Sequence, residues 1–428
     1  MWRCILKNTI ESSIKDVQED ILIDLYETIN NDFSFIEKNL IELPKIKRPQ
    51  DCLLNILPIV NKIREAVKQT YIQPYIDYID AIENIIERIQ NGRLPISENL
   101  SELLLLTTDY IQTICEDLLQ ERYFKYEEIQ HLTKHLQLLA AISPSNSSSM
   151  VYECMKLLST KVYPNDIPAE DNQIKYLTLD DVDNAISVHQ STLSPFVIRH
   201  DILHFSQENY SVELGLNKMK ASDEQRRALN WFKDLAEQVE MRSRLWKNRT
   251  KKILFGCMLL NRNLPKDLQV DELQLRAAVY VHDMYMSLLP DSILFKKGKF
   301  DPVDIMLLQQ HPIQAYEMLG LMPGWEGAAK MVHQHHERFD GKGYPLGIAG
   351  EGIHLGAQII ALADAFYSMT HERSDRKHYK SVMRATAALN KGQGSQFNPL
   401  IIAALNRATV TLWQQNAEKL SEAVAETA

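Results

Sequence analysis

Cysteine, glycine and long apolar stretches are scarce in this sequence, and each scarcity excludes a class of protein. Its 428 residues include five cysteines, which are widely scattered, odd in number and without metal-type spacing. We interpret them as reduced thiols of a cytoplasmic protein, since disulfide frameworks and zinc sites need regular spacing. The 15 glycines are few for a chain with many tight hairpins, and strict alternation of apolar and polar residues is rare. The fold is therefore predicted to be all-α.

The sequence also lacks segments that would place it in a membrane. No window approaches the ~20 apolar residues that a membrane-spanning helix needs. The N-terminus has Glu11, Lys15 and Asp16 soon after Met1, where an export signal needs an apolar stretch. We therefore expect no membrane contact. The formal net charge of −9 argues against a broad surface for a nucleic acid polymer, although it allows a local basic pocket for a small anion.

Length and local composition predict several domains, because 428 residues exceed what one hydrophobic core usually supports. We predict an N-terminal helical bundle at 1–142, a linker with connecting helices at 143–221, a second helical domain at 222–415 and a tail at 416–428. Breaks rich in serine, proline and asparagine at 143–149 and 163–168 indicate the linker. The charged stretch 222–249 is interpreted as a helix that leads into the second domain.

Apolar residues recur at helical spacing in the N-terminal third. The three runs are Ile56, Ile59, Val60, Ile63 and Val67; Ile79, Ile82, Ile85, Ile86 and Ile89; and Leu100, Leu103, Leu104 and Ile111. Asn91 and Gly92 are predicted to end the second helix, and Ser97 to cap the third. Amphipathic helices joined by short turns indicate an antiparallel bundle.

The segment from His335 to Pro345 is the most informative part of the sequence. It reads His-His-Glu-Arg-Phe-Asp-Gly-Lys-Gly-Tyr-Pro, with two adjacent imidazoles before a glycine-rich loop. Neighbouring side chains on a helix point in different directions, so adjacent histidines seldom share one buried face. A metal ion would draw them together, because neutral imidazole is the commonest metal ligand in proteins.

Further candidate ligands lie at regular intervals. His282 and Asp283 close an apolar run, His311 follows 29 residues after His282, and Asp364 lies in an apolar helix 28 residues after His336. Each interval corresponds to about one helix out and one back, so the ligands are expected to meet at one end of a helical bundle. Carboxylates and imidazoles without cysteine indicate iron, manganese or a similar ion.

In combination these motifs resemble the HD-GYP family, the metal-dependent cyclic di-GMP phosphodiesterases of bacteria. The motifs are His-Asp at 282–283, His-Pro at 311–312, His-His-Glu-x-x-Asp-Gly-x-Gly-Tyr-Pro at 335–345 and Ala-Asp-x-Phe at 363–366. The likeness covers roughly residues 245–405, and the combination is far more specific than any single motif.

The resemblance implies a divalent metal site, with iron or manganese, and cyclic di-GMP as substrate. Asp283 is implied as the catalytic residue that bridges ions, and the implied ligands are His282, Asp283, His311, His335, His336 and Asp364. The implied substrate-binding residues are Asp340, Gly341, Gly343, Tyr344, Pro345, Arg373 and Arg376. The glycines would permit close approach of the backbone to the nucleotide. For the two arginines, a solvated basic face is nearly as good an explanation.

Two departures from the family's pattern bear on activity. Met286 stands where the family has a lysine after His-Asp, and residues 246–252 read Trp-Lys-Asn-Arg-Thr-Lys-Lys where the family has a ligand histidine. By that pattern one ion keeps its full set, Asp283, His311, His335 and His336, whereas the ion served by His282 and Asp364 is left short. We predict that one or two ions are bound and that hydrolysis is weak or absent, because catalysis by paired ions needs both.

Several features have plainer explanations. The pair His200-Asp201 has no partner motifs downstream, so a structural role is predicted for it. His333 is expected to pack or to face solvent, and Met284 to Met286 are expected to fill the core. Gly-x-Gly-Tyr-Pro alone is more often a turn than a ligand loop, but the spaced histidines favour the ligand loop here.

The N-terminal helices have a resemblance of their own. Residues 81–118 are similar to the later helices of histidine phosphotransfer domains, and the alignment puts Asn61 where such a domain carries its phospho-accepting histidine. This implies that phosphotransfer is lost and a docking surface for a signalling protein remains. A generic helical bundle is at least as good an explanation.

Three classes of function are consistent with the sequence. The first, which we favour, is an HD-GYP phosphodiesterase that hydrolyses cyclic di-GMP. The second is an inactive receptor that binds the dinucleotide or a metal and signals through its N-terminal bundle, with Met286 as its support. The third is a purely structural module, which gives no reason for the histidines to be spaced as they are. A homodimer is compatible with all three.

Overall fold

The computed structural model describes residues 17–45, 49–121, 126–144, 147–160, 221–296, 298–371 and 380–410. Throughout these ranges the regular structure is helical, apart from one isolated bridge between Gln393 and Phe397. The predicted all-α fold is confirmed. No helix within these ranges is both long and apolar enough to cross a bilayer. The described residues fall into two compact units, which divide between 160 and 221.

The N-terminal unit is a helical bundle. Its helices are α1 (Glu19–Glu42), α2 (Pro49–Lys68), α3 (Gln73–Gln90), α4 (Glu98–Glu121), α5 (Tyr126–Ala141) and α6 (Ser147–Thr160). Helix α1 packs on α2 and α4, α2 packs on α3, and α3 packs on α5. The apolar positions predicted from helical spacing are buried in this core, with Ile59 partly buried.

The predicted ends of these helices agree with the structure. Helix α3 is capped by Asn91, and Gly92 follows with a φ of 67°, a conformation that glycine adopts without a steric penalty. The hydroxyl of Ser97 accepts a hydrogen bond from the amide of Leu100 at 3.1 Å. Both interactions satisfy backbone groups that a helix end leaves without a partner.

Helix α6 packs with the bundle and lies in the range 143–221, for which we predicted a linker with connecting helices. It packs on α4 and α5 and buries Val151, Cys154 and Met155. The helix begins at Ser147, within the serine-rich stretch, because the apolar residues that follow recur at helical spacing. The second predicted break, at 163–168, lies outside the described residues.

The C-terminal unit holds the predicted metal ligands. Its helices are α7 (Asp223–Glu240), α8 (Arg249–Arg262), α9 (Glu272–Val281), α10 (Asp291–Leu294), α11 (Pro302–Leu308), α12 (His311–Gly320), α13 (Glu326–Gln334), α14 (Leu355–Thr370), α15 (Val382–Lys391) and α16 at 399–410. Helix α9 packs on α7, α8 and α13, and α14 packs on α8, α13 and α15. The charged stretch at 222 does form a helix, which begins with a capping box between Ser222 and Gln225.

Candidate metal centre

His335 and His336 lie at a helix end, and this resolves how adjacent histidines share one site. Helix α13 ends at Gln334, and the two histidines follow it in a turn. Their rings are 4.1 Å apart between centroids. Most of the other predicted ligands also lie at helix ends: His282 caps α9, Asp283 follows it, and His311 is the first residue of α12. Asp364 lies within α14.

Three of the imidazoles are held by the same local hydrogen bond. The Nδ1 atoms of His282, His311 and His335 lie 2.7, 2.6 and 2.6 Å from the carbonyl oxygens of Val279, Leu308 and Val332, each three residues earlier. Because a carbonyl only accepts, each Nδ1 carries the proton and each Nε2 presents a lone pair. Such a bond to the outer nitrogen is the usual support of a metal-ligating histidine.

The Nε2 atoms converge on a carboxylate. The Nε2 of His311 lies 3.3 Å from that of His335 and 3.2 Å from that of His336, and Asp283 Oδ1 lies 3.4 Å from the Nε2 of His311. One ligand atom from each of these four residues falls within 4.8 Å of all the others. Lone pairs this close repel each other unless a proton or cation lies between them. The group could therefore hold a metal ion.

The protonation states suit such a site. Burial and the neighbouring imidazoles lower the pKa of His335 well below its usual value, and burial with His311 lowers that of His336 to about 4. Burial also lowers the pKa of His311. Burial would raise the pKa of Asp283, but His282 and Arg249 lower it well below its usual value. At neutral pH the imidazoles of His311, His335 and His336 are thus neutral and the carboxylate is charged, which are the forms that bind metal.

His282 and Asp364 do not join this group of four. Both lie on the other side of Asp283, where Oδ2 is 3.5 Å from the Nε2 of His282 and 2.7 Å from Arg249 Nη2. The same Nη2 is 2.6 Å from Asp364 Oδ1. The Nε2 of His282 is buried, and no residue of the described chain hydrogen-bonds to it. Asp283 therefore belongs to the group of four through Oδ1, while its Oδ2 faces His282 and the guanidinium that it shares with Asp364.

Arg249 is a site residue that sequence reasoning missed. It is the first residue of α8, in the segment 246–252 where the resemblance implies a ligand histidine. The carboxylate of Glu240, the last residue of α7, accepts hydrogen bonds from the amides of Asn248 and Thr250, both at 2.7 Å. These bonds fix the backbone on both sides of Arg249. A partial signal was present, since the resemblance implies a ligand histidine in a segment that is basic here.

The Gly-Tyr-Pro loop packs directly against the histidine pair. The Tyr344 ring stacks on the His336 ring with centroids 4.7 Å apart, and the Tyr344–Pro345 peptide is cis. A Cβ on Gly343 would lie 2.4–2.6 Å from backbone atoms of residues 336–338. Glycine at 343 is thus required by the close contact of the loop with the backbone of residues 336–338, whether or not a nucleotide also approaches it.

Two side chains of the His335–Pro345 segment hold the loop in shape. Glu337 is 5% exposed, and its Oε1 accepts hydrogen bonds from the amides of Leu346 and Gly347 at 2.6 and 3.1 Å. Asp340 accepts from Arg338 at 3.0 and 2.7 Å and from the amide of Lys342 at 3.1 Å. The pairing with Arg338 lowers the pKa of Asp340 to about 2. Binding of substrate by this loop stays a prediction.

The remaining predicted residues are placed only in part. His333 stacks on Tyr316 at 4.3 Å, so it packs as expected. Met284 and Tyr285 pack against the core of the unit. Residues Arg373 and Arg376, and the pair at 200–201, lie outside the described residues.

Comparison with known proteins identifies relatives of this chain. The family model of the HD domain matches residues 233–401. The cyclic di-GMP phosphodiesterase response regulator RpfG of Xanthomonas campestris is 35% identical over 139 residues, which cover 32% of this chain and 36% of that protein. The 3'3'-cGAMP-specific phosphodiesterase 1 of Vibrio cholerae is 30% identical over 142 residues, 33% of each chain. A cyclic di-GMP phosphodiesterase of Thermotoga maritima is 31% identical over 133 residues, 31% of this chain and 36% of that one. The matched segment spans about a third of each of these curated relatives.

Proposed function

We propose that this protein is a metal-dependent phosphodiesterase of the HD-GYP type that hydrolyses cyclic di-GMP. The match of residues 233–401 to the HD domain model and the likeness to cyclic di-GMP phosphodiesterases support this. The observation that carries the proposal is the convergence of Asp283, His311, His335 and His336 within 4.8 Å. Three imidazoles and one carboxylate, without a thiolate, fit iron or manganese. A bound ion of this kind would act as a Lewis acid toward a phosphoryl oxygen and lower the pKa of water.

The residues around the ligands support chemistry on a phosphodiester. Burial, with Asp283 and Asp364, raises the pKa of the Tyr344 hydroxyl above its usual value, so Tyr344 stays protonated and can donate a hydrogen bond to a phosphate oxygen. Arg249 is charged at every physiological pH. Its positive charge offsets the negative charges of Asp283 and Asp364, which would otherwise repel an anionic substrate.

The substrate is proposed from the relatives. Their names include phosphodiesterases for cyclic di-GMP and for 3'3'-cGAMP, which are both cyclic dinucleotides with two phosphodiester bonds. The loop residues Asp340, Gly341, Gly343, Tyr344 and Pro345, which pack beside the ligands, are proposed to contact the nucleotide, with Arg373 and Arg376 as phosphate contacts. The names of the relatives favour hydrolysis over a receptor without turnover. Met286 still stands in place of the lysine that the resemblance implies.

The test is to load the purified protein with Fe²⁺ or Mn²⁺ under reducing conditions and follow both dinucleotides by chromatography. Product formation that His335→Ala reduces by at least about 100-fold, on the scale expected for loss of a catalytic ion, supports the proposal. His333→Ala is the matched control, since His333 stacks on Tyr316 away from the four ligands, and it should keep the activity. Tight binding without product would support the receptor instead, and neither binding nor product would overturn both.

We further propose a cytoplasmic location and signalling through the N-terminal bundle. The four described cysteines, Cys52, Cys115, Cys154 and Cys257, are buried free thiols, which agrees with a reducing compartment. The bundle is a compact unit separate from the HD domain, as expected of a module that docks a signalling protein. The likeness to a phosphotransfer domain and the homodimer stay predictions.

A further inference from the structure

We propose that Arg249 takes the place of a second metal ion, so that this HD domain binds a single ion per chain. The inference rests on the proposed function to the extent that the group of four ligands is a metal centre. It adds that the second half of the centre is filled by the chain itself.

The position of the guanidinium is the first support. One nitrogen, Nη2, lies 2.7 Å from Asp283 Oδ2 and 2.6 Å from Asp364 Oδ1. Asp283 thus offers Oδ1 to the imidazoles of His311 and His335 and Oδ2 to Arg249. A carboxylate with one oxygen toward each of two cations is the arrangement of a bridging ligand, with a guanidinium as one of the cations.

Space and charge exclude a second ion while Arg249 stays there. A metal–oxygen bond is about 2.0–2.2 Å long, so an ion bound to both carboxylates would occupy the volume that Nη2 occupies. The guanidinium cannot lose its proton in a protein, so an ion brought beside it would meet a like charge in a site where the Arg249 side chain is 16% exposed. Burial would lower the pKa of Arg249, but Asp283 and Asp364 raise it above its usual value.

The surroundings hold the arginine in this position. Glu240 fixes the backbone through the amides of Asn248 and Thr250, and the guanidinium carbon lies 5.8 Å from the centre of the Tyr367 ring. A cation at this distance from an aromatic face is attracted to it. Arg249 is therefore supported by its own helix start, by two carboxylates and by a ring.

His282 has the position of a ligand to the second ion, which Arg249 excludes. Its Nε2 is buried, lies 3.5 Å from Asp283 Oδ2 and has no hydrogen-bond partner in the described chain, while its Nδ1 is held by Val279 as in the ligating histidines. It has the tautomer and direction of a ligand. His282, Asp283 and Asp364 would offer three ligands, but Arg249 occupies the place between the two carboxylates where an ion would bind.

The test counts ions rather than turnover. The full-length protein is saturated with Mn²⁺, freed of excess metal and analysed for manganese per chain, and the electron paramagnetic resonance spectrum is recorded to distinguish single from coupled ions. The wild type should hold one uncoupled ion. Arg249→His should hold two coupled ions, since it supplies the fourth ligand. Arg249→Lys should stay at one, because it keeps the charge.

Two further variants show where the second ion binds. Adding Asp364→Asn to Arg249→His should return the content to one ion, whereas adding His333→Ala should leave it at two. Two ions in the wild type, or one ion in a folded Arg249→His at saturation, would overturn the inference; if Arg249→His does not fold, the wild-type count alone decides. One ion without hydrolysis of either dinucleotide would leave the inference standing and overturn the proposed enzyme.

Discussion

At the scale of single residues, the two oxygens of Asp283 face different neighbours. Oδ1 faces the imidazoles of His311 and His335, and Oδ2 faces Arg249 and His282. One side chain therefore orders both halves of the site. Its charge is held by neighbours on both sides, so the carboxylate stays ionised although it is largely buried.

This predicts that the two aspartates differ in their effect on metal affinity. Asp283→Asn should weaken Mn²⁺ binding by more than about 100-fold, beyond the 10–100-fold typical of groups that only support a ligand, because it removes one of the four ligands. Asp364→Asn should change the affinity by much less, because Asp364 contacts Arg249 and is outside the group of four. Calorimetric titration with Mn²⁺ measures both. Equal losses would mean that Asp364 also binds the ion.

A second residue-scale prediction concerns glycine. Gly343→Ala should destabilise the protein by at least about 1–3 kcal/mol, the usual range for overpacking, because the new Cβ meets backbone of residues 336–338 at 2.4–2.6 Å. Gly352→Ala is the control, since a Cβ there has no atom within 4 Å. Denaturant unfolding gives the free energies, and a tolerated Gly343→Ala would show that the loop can move away from the histidines.

Residue types and spacing predicted the grouping of His311, His335, His336 and Asp283, because metal ligation requires particular side chains. They did not predict Arg249. A positive side chain beside carboxylates leaves no periodic pattern, and its role depends on a distance between α8 and α14 that only the fold determines. The contact of Gly343 with the backbone of residues 336–338 was also missed, because sequence spacing does not show contacts between backbone segments.

At the scale of elements, the site depends on how helices begin and end. The start of α8 is capped from another helix, by Glu240 of α7. A carboxylate near a helix N-terminus satisfies free amides and interacts favourably with the helix dipole. The hydrogen bonds of Glu240 thus stabilise the first turn of the helix that carries Arg249.

Glu240→Ala should lower the free energy of unfolding by about 0.5–2 kcal/mol, the usual cost of losing an N-terminal cap. Thermal and denaturant unfolding provide the measurement. Asp234→Ala is the matched control, because Asp234 is an exposed residue on the same helix and its removal should cost little. A cost no larger than the control's would show that solvent replaces Glu240 at these amides.

Helices were predictable from the sequence to the extent that apolar residues recurred, as in α3 and α4. Helix α6 lies in the range 143–221, where composition predicted a linker with connecting helices but did not show which unit those helices join. Serine and proline at 143–149 indicate a break, whereas Val151, Cys154 and Met155 indicate a buried helical face directly after it.

At the scale of the whole molecule, the ligands join parts of the chain that are far apart in sequence. The four come from the end of α9, the start of α12 and the end of α13. An ion that binds them binds only the folded domain, so its affinity adds to stability.

Mn²⁺ at a hundredfold its dissociation constant should therefore stabilise the C-terminal unit by about 2.7 kcal/mol. Unfolding followed with and without the ion, and after treatment with a chelator, gives this difference. His335→Ala should abolish it, and His333→Ala should preserve it. Equal stabilisation of both variants would place the ion elsewhere in the protein.

The guanidinium between Asp283 and Asp364 also changes how the centre is filled. A pocket for two ions passes through half-loaded states, because each ion binds with its own dependence on the metal concentration. A charge that is covalently part of the polypeptide can be neither chelated nor exchanged. Loading of this centre should then follow a simple one-site saturation curve, and scarcity of iron or manganese would switch it between only two states.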